Sequence, residues 1–129
     1  MEQDKKNSLE ASLALLPIST IAQVLNVHQR TLRIYDREGI LSPVRSQKNR
    51  RNYSLNDLEK AKLILFLTRN LALNLAGVKI ILAMLEDNKI PPAQYLEYVE
   101  KIAKKAKIDT QAQENNLEKT SKRGRKVKD

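Results

Sequence analysis

Two short helical patterns follow one another with only a tight turn between them, and few folds accommodate that arrangement. The first helix is predicted over about Thr20 to Leu25, with Gln23 at the spacing of a capping box. Asn26 follows, one of the few non-glycine residues that tolerate a left-handed turn. A second helix is predicted over Gln29 to Glu38, with Gly39 as the left-handed residue that ends it. The sequence therefore predicts a helix-turn-helix.

The second helix has two faces of opposite character. At 100° per residue, Leu32 and Tyr35 share one side. Arg30, Arg33 and Arg37 lie close together on nearly the opposite side. An apolar anchor behind a row of guanidinium donors is typical of a helix that binds phosphate oxygens and guanine edges in DNA. A solvated charged face is the alternative interpretation of the same pattern.

The net charge of the 129-residue chain is +9, from 24 Lys and Arg against 15 Asp and Glu. Residues 28–62 hold nine basic and four acidic residues, and residues 119–129 hold six basic residues and one acidic residue. The excess of positive charge in residues 28–62 lies within an apolar pattern that can fold, so this region is the one expected to recognise a polyanion in detail. The excess in residues 119–129 lies in a polar tract that either raises nonspecific DNA affinity or keeps the protein soluble.

The segment from Val44 to Tyr53 mixes basic residues with turn formers and shows no helical periodicity. We expect a small hairpin with Gln47 to Asn49 at its tip. Its four cations have no acidic residue among them, so their mutual repulsion favours a polyanionic partner over a merely solvated loop. The helix and the hairpin together predict a DNA-binding site, whose candidate residues are His28, Gln29, Arg30, Thr31, Arg33, Tyr35, Arg37, Arg45, Lys48, Arg50, Arg51 and Tyr53.

Three more helices are predicted after the hairpin. Ser54 and Asp57 have capping-box spacing for a helix over about Leu55 to Asn70, Asn74 caps a fourth helix, and the fifth covers about Pro92 to Lys107. The fold class is mainly α, a winged helix-turn-helix with a β-hairpin wing and a C-terminal dimerisation helix. The expected organisation is a flexible segment over 1–16, a DNA-binding domain over 17–87, the dimerisation helix over 88–108 and a basic disordered tail over 109–129.

Dimerisation is expected because one recognition helix reads only a few base pairs, too few for useful specificity. The fifth helix carries an apolar stripe, although it is only about four turns long. We assign the dimer contact to five of its residues: Leu96, Val99, Ile102, Ala103 and Ala106.

Several function classes are excluded by what the chain lacks. With no cysteine and one histidine it has no thiolate or multi-histidine metal site, and we expect no metal and no cofactor. No Gly-rich phosphate loop and no nucleophile–base pair is present, so we expect no enzyme activity. The N-terminus lacks the order of a secretory signal, and no segment has the ~20 apolar residues that span a bilayer. The expected location is the cytoplasm, on the nucleoid.

The order of elements resembles the MerR family of transcription regulators from Ile18 to Leu85. The specific parts are ISTIAQVLNVHQRTLRIYDREGIL at 18–41, Pro43 and Arg45, Arg51 with Tyr53 and Ser54, and NLAGVKIIL at 74–82. Within the family, VH at 27–28, TLR at 31–33, RNL at 69–71 and NLAGV at 74–78 are similar to a branch of heat-shock repressors.

The resemblance implies a dimeric repressor of chaperone operons that binds inverted repeats in double-stranded DNA. It also implies a possible dependence on a DnaK-type chaperone or a second repressor. By the same resemblance Tyr35, Arg45 and Arg51 contact phosphate, and Tyr53 either contacts phosphate or packs within the wing. Two alternatives stay open: a MerR-type activator that responds to another stress, and a protein-interaction adaptor whose DNA binding is incidental.

Overall fold

The computed structural model describes residues 9–110. After a helical turn at residues 9–12, the elements in chain order are β1 (Leu16–Pro17), α1 (Ile18–Leu25), α2 (Gln29–Arg37), β2 (Val44–Arg45), β3 (Arg51–Tyr53), α3 (Leu55–Leu65) with a π-helical continuation (Phe66–Asn70), α4 (Leu75–Asp87), a 3-10 turn (Pro92–Gln94) and α5 (Tyr95–Lys105). The mainly helical fold with a small hairpin confirms the predicted winged helix-turn-helix.

The turn between α1 and α2 forms as the sequence predicts. Asn26 adopts the left-handed conformation at φ 55° and ψ 50°, and the Val27 N–H donates to the carbonyl of Ala22 at 3.0 Å. At the far end of α2, Gly39 has φ +71° and the Ile40 N–H donates to the Tyr35 carbonyl at 2.9 Å. The first of these left-handed residues ends α1 and the second follows the end of α2.

Two of the three predicted helix caps form. The Asp57 N–H donates to the Ser54 hydroxyl at 3.0 Å while the Ser54 N–H donates to the Asp57 carboxylate at 2.9 Å, and Asn74 accepts from the Gly77 N–H at 2.9 Å. The box expected at Thr20 does not form, because α1 begins two residues earlier, directly after Pro17.

That earlier start follows from a strand that the sequence did not reveal. Leu16 pairs with Tyr53 and Pro17 with Asn52, so β1 joins the hairpin in an antiparallel sheet of order β1-β3-β2. Residue 16 was expected to belong to a flexible segment. It is ordered instead, because β3 supplies a pairing partner that is distant along the chain. The remaining expectations for residues 1–8 and 111–129 lie outside the described residues.

One apolar core joins the five helices and β3, and Leu16 of β1 packs against it. Its fully buried side chains come from α1, α2, the loop after α2, β3, α3 with its π-helical continuation and α4: Ile21, Leu32, Leu41, Tyr53, Leu63, Ile64, Leu67 and Val78. The helix-turn-helix and the wing are therefore held by one shared interior rather than by separate contacts.

The fifth helix packs against α3 of its own chain. Val99 and Ala103 are buried in this contact and Leu96 packs against the core, whereas Ile102 is 49% exposed and Ala106 is exposed. Three of the five residues assigned to dimerisation therefore cover the chain's own core. An apolar stripe indicates that one face of a helix is buried, but it does not identify the surface that covers the face. Periodicity alone therefore could not distinguish packing against the chain's own core from packing against a second copy.

Tyr53 lies at the centre of the core with none of its surface exposed. Of its two expected roles, packing is the one that this burial allows. Within residues 9–110 its hydroxyl is the only buried side-chain polar atom without a hydrogen-bond partner. Burial raises the pKa of the Tyr53 phenol to about 12, against the opposing charge of Arg51.

We expect Tyr53→Phe to be as stable as the parent at neutral pH or more stable by up to about 1 kcal/mol, since the substitution removes an unpaired buried hydroxyl. The folded pKa lies above the ordinary value of 10, so the protonated phenol stabilises the fold fully below pH 10 and progressively less up to about pH 12. Urea unfolding of both proteins from pH 7 to 12 measures this difference. A phenylalanine variant that loses several kcal/mol at pH 7 would show that the hydroxyl has a partner.

Candidate nucleic-acid interface

Helix α2, the second helix of the helix-turn-helix, buries one side and exposes its arginines on the other. Leu32 is fully buried and Tyr35 is 6% exposed, while Arg30, Arg33 and Arg37 are all exposed. The arginine row predicted from the helical wheel is thus available to a ligand.

The start of α2 is open. His28 occupies the N-cap position, and its side chain makes no capping hydrogen bond. The first residues of the helix line a depression of about 670 Å³: His28, Gln29, Arg30, Thr31 and Arg33. Within it Arg33 Nη2 donates to Gln29 Oε1 at 3.0 Å, which holds the guanidinium along the first turn. The N–H groups and positive dipole end of a helix start favour an anion.

The wing is a tight hairpin with exposed basic side chains at its tip. The Ser46 N–H donates to the Arg50 carbonyl at 2.8 Å, and Asn49 at φ 61° turns the chain. Arg45 Nη1 donates to the carbonyl of Asn49 at 3.2 Å. Lys48 and Arg50 are exposed at the tip, as the hairpin prediction required.

A groove of about 920 Å³ separates the wing from α2. Its basic lining residues come from both elements: Arg33, Lys48, Arg50 and Arg51. Leu15, Pro17 and Ile18 add an apolar part to the lining. The fold thus brings the arginines of the helix and the cations of the wing around one concave surface, a suitable shape for a phosphate backbone.

Asp36 is the one acidic residue in α2, and sequence reasoning gave it no role. Its Oδ2 accepts a hydrogen bond from Arg51 Nε at 2.9 Å and another from Arg45 Nη2 at 3.4 Å. Two residues expected to contact phosphate are therefore ion-paired with the recognition helix. The partners lie nine and 15 residues along the chain, beyond any local pattern. An isolated acid among three arginines was the only available signal.

Tyr35 is more deeply buried than a phosphate contact requires. Burial raises the pKa of its phenol, while a hydrogen bond with Thr68 and the charge of Arg69 act in the opposite direction. Arg69 is exposed beside it, so the π-helical continuation of α3 adds a cation that the candidate list omitted.

Residues 9–110 contain no cluster of His, Cys, Asp and Glu side chains that could hold a metal ion. Within the same residues no helix has the length and apolar character needed to cross a bilayer.

Comparison with known proteins assigns the chain to a family. The family model described as MerR HTH family regulatory protein matches residues 16–85, which include the helix-turn-helix, the wing, α3 and most of α4. The chain belongs to the MerR family. The expected resemblance is thereby confirmed.

Individual relatives agree with the assignment of this MerR-family chain. HspR of Streptomyces coelicolor, named as a heat shock protein, is 38% identical over 77 residues, which are 60% of this chain and 50% of HspR. The match thus spans about half the length of that relative. The HTH-type transcriptional regulator GlnR of Bacillus anthracis, and that of Bacillus cereus, is 32% identical over 104 residues, covering 81% of this chain and 75% of GlnR.

The crystal structure of the HTH-type transcriptional regulator SkgA from Caulobacter crescentus has the same fold, with a TM-score of 0.54. It is 24% identical and the match covers 87% of this chain and 76% of SkgA. At that identity the likeness bears on the fold alone.

Proposed function

We propose that this MerR-family regulator is a sequence-specific repressor of heat-shock and chaperone operons that binds inverted-repeat operators as a dimer. One observation carries the proposal: the fold lines a single groove with cations from both the recognition helix and the wing. The similarity to HspR supports the choice of stress genes as targets. Such a protein works on the chromosome, in the cytoplasm.

The recognition helix and the wing, which flank the groove, have different tasks in this proposal. Arg30 and Arg33, near the start of α2, enter the major groove and read base edges, as the first residues of recognition helices do. Lys48 and Arg50 on the wing contact the phosphate backbone, which fixes register and carries no sequence information. Occupying a promoter is sufficient for repression, so this mechanism needs no effector pocket.

The test is selection of the genomic DNA fragments that the purified full chain retains. An inverted repeat upstream of chaperone genes is the expected result. A repeat upstream of unrelated genes would support sequence-specific DNA binding and reject the heat-shock assignment. The similarity to GlnR is the reason to include this outcome. No enriched sequence would favour the adaptor. Adding a DnaK-type chaperone to the selection tests whether a partner strengthens binding.

The dimer contact in this proposal uses the apolar residues that α4 and α5 leave exposed. Ile102 is 49% exposed, Tyr98 42% and Met84 57%, and the three line a groove of about 190 Å³ between the helices. A second copy is the favoured occupant because an inverted repeat is read by two recognition helices related by a two-fold axis. Val99 lines the same groove although it is only 7% exposed, whereas Ala103 is buried and does not line it.

Ile102→Asp is therefore expected to convert a dimer to a monomer and to lower affinity for the selected repeat at least about tenfold, since a charge at the centre of an apolar contact is desolvated without a partner. Light scattering after size-exclusion chromatography measures the mass. Val24→Asp, at a residue 59% exposed on α1, is the matched control and should leave the mass unchanged. A parent protein that is already monomeric at assay concentration would reject this contact.

A further inference from the structure

A single carboxylate oxygen joins the recognition helix to both strands of the wing. Asp36 Oδ2 lies 2.9 Å from Arg51 Nε on β3 and 3.4 Å from Arg45 Nη2 on β2. The three side chains are partly covered, with 19% of Asp36, 23% of Arg51 and 41% of Arg45 exposed. Charge-assisted hydrogen bonds in such a setting are less screened by salt than those at an open surface.

The strand register explains why the wing needs this carboxylate. Arg45 and Arg51 are directly paired across β2 and β3. Like charges at opposed positions of an antiparallel pair repel and destabilise the hairpin. Asp36 lies against both guanidinium groups and offsets that repulsion in the free protein, before any phosphate is present.

The contact of Asp36 with the two arginines also fixes the spacing between α2 and the wing, on which DNA binding depends. Arg33, three residues before Asp36 on α2, lies at the groove together with Arg50, the neighbour of Arg51 in the chain. Arg45 is further fixed because its Nη1 donates to the Asn49 carbonyl at 3.2 Å, in the turn of the wing. Movement of the wing relative to α2 would change the spacing between base-reading and phosphate-binding groups.

We propose that Asp36 is a positioning residue that locks the wing to the recognition helix, so that both halves of the groove engage DNA in one geometry. The proposal rests on the DNA-binding function proposed above. For the loss of the Asp36 charge, the proposal predicts a change in DNA affinity opposite to the one that simple electrostatics predicts. Removing one negative charge from a phosphate-binding surface should tighten binding to every duplex, whereas releasing the wing should weaken binding, most of all to the specific duplex.

The experiment compares Asp36→Asn with Asp87→Asn, which makes the same charge change at an exposed residue that ends α4. Affinities of the full-length proteins for the selected repeat and for a scrambled duplex are measured across a salt series. We expect Asp36→Asn to weaken binding to the repeat at least about fivefold and to narrow its preference over the scrambled duplex. Asp87→Asn should leave that preference unchanged. Equal or tighter binding by Asp36→Asn would overturn the proposal.

A second readout needs no DNA. Amide hydrogen exchange of the wing, followed at the Ser46 N–H that donates to Arg50, should be faster in Asp36→Asn than in the parent. Asp36→Glu, which retains the charge, should restore part of the protection, and parent-like exchange of the α3 amides in each variant shows that it folds. Unchanged exchange would overturn the lock whatever the DNA result. If exchange is faster in Asp36→Asn but the parent protein prefers no duplex over another, the lock is supported and the proposed function is rejected.

Discussion

Alanine in place of Arg33 is expected to weaken binding to the specific duplex by about 1–3 kcal/mol, roughly 5- to 150-fold, and to relax the preference at one base position. Arg33, the fifth of the nine residues of α2, is exposed, lines both basic depressions and donates to Gln29 Oε1 at 3.0 Å. Its loss removes donors in the region of a recognition helix that reads base edges. Titrations against a panel of single-base variants of the selected repeat measure both effects.

The matched control is Arg37→Ala, which removes another exposed arginine, at the C-terminal end of the same helix. Arg37 is expected to meet the backbone, so its loss should weaken all duplexes to a similar extent and reduce the salt slope by about one. If both variants lost affinity uniformly across the panel, Arg33 would be another phosphate contact and base reading would reside elsewhere.

Leu32→Ala is expected to have the largest effect on stability, a loss of about 2–5 kcal/mol in the free energy of unfolding. Leu32 is the inward neighbour of Arg33 and is fully buried in the core that joins the helix-turn-helix to β3, α3 and α4. Truncation leaves a cavity directly behind the recognition helix. For a small domain such a loss is a large fraction of the total. Urea unfolding, followed by circular dichroism, measures it.

Val24→Ala serves as the control, because Val24 is 59% exposed on α1 and its truncation should cost well under 1 kcal/mol. The base preference of the folded Leu32→Ala protein should match that of the parent, since its arginine face is intact. A Leu32→Ala protein of unchanged stability would mean that α2 is not anchored by the core.

The elements that the sequence predicted correctly are those controlled by neighbouring residues. Asn26 at the end of α1 and Gly39 after α2 adopt left-handed conformations, which few other residue types tolerate. Ser54 with Asp57, and Asn74 with the third residue of α4, close hydrogen bonds within one turn. Local chemistry of this kind can be recognised without knowing the rest of the fold.

What the sequence did not reveal depends on contacts between distant segments. The pairing of Leu16 with Tyr53 forms only once the hairpin exists, and it displaces the start of α1. The contact of Asp36 with Arg51 crosses from a helix to a strand. The apolar stripe of α5 was identified, but its partner is α3 of the same chain.

The candidate DNA-binding residues also divide into those that a local pattern predicts and those whose surroundings depend on distant contacts. Residues on the exposed face of α2 and at the tip of the wing were found by pattern, because periodicity and turn formers determine which side faces solvent. The phosphate contacts expected of Tyr53 and Tyr35 rested on the resemblance to the family, and the core buries both side chains. Arg69 was missed, because its nearness to Tyr35 follows from how α3 packs and from no spacing in the sequence.

The most direct test of the account is the affinity of the purified full chain for the selected inverted repeat against a scrambled duplex of equal length, measured by fluorescence anisotropy at one physiological salt concentration. If the groove between α2 and the wing reads sequence, the repeat should bind at least about 10³-fold more tightly. Equal affinity for the two duplexes would contradict the account, because it would reduce the basic groove to a nonspecific polyanion site.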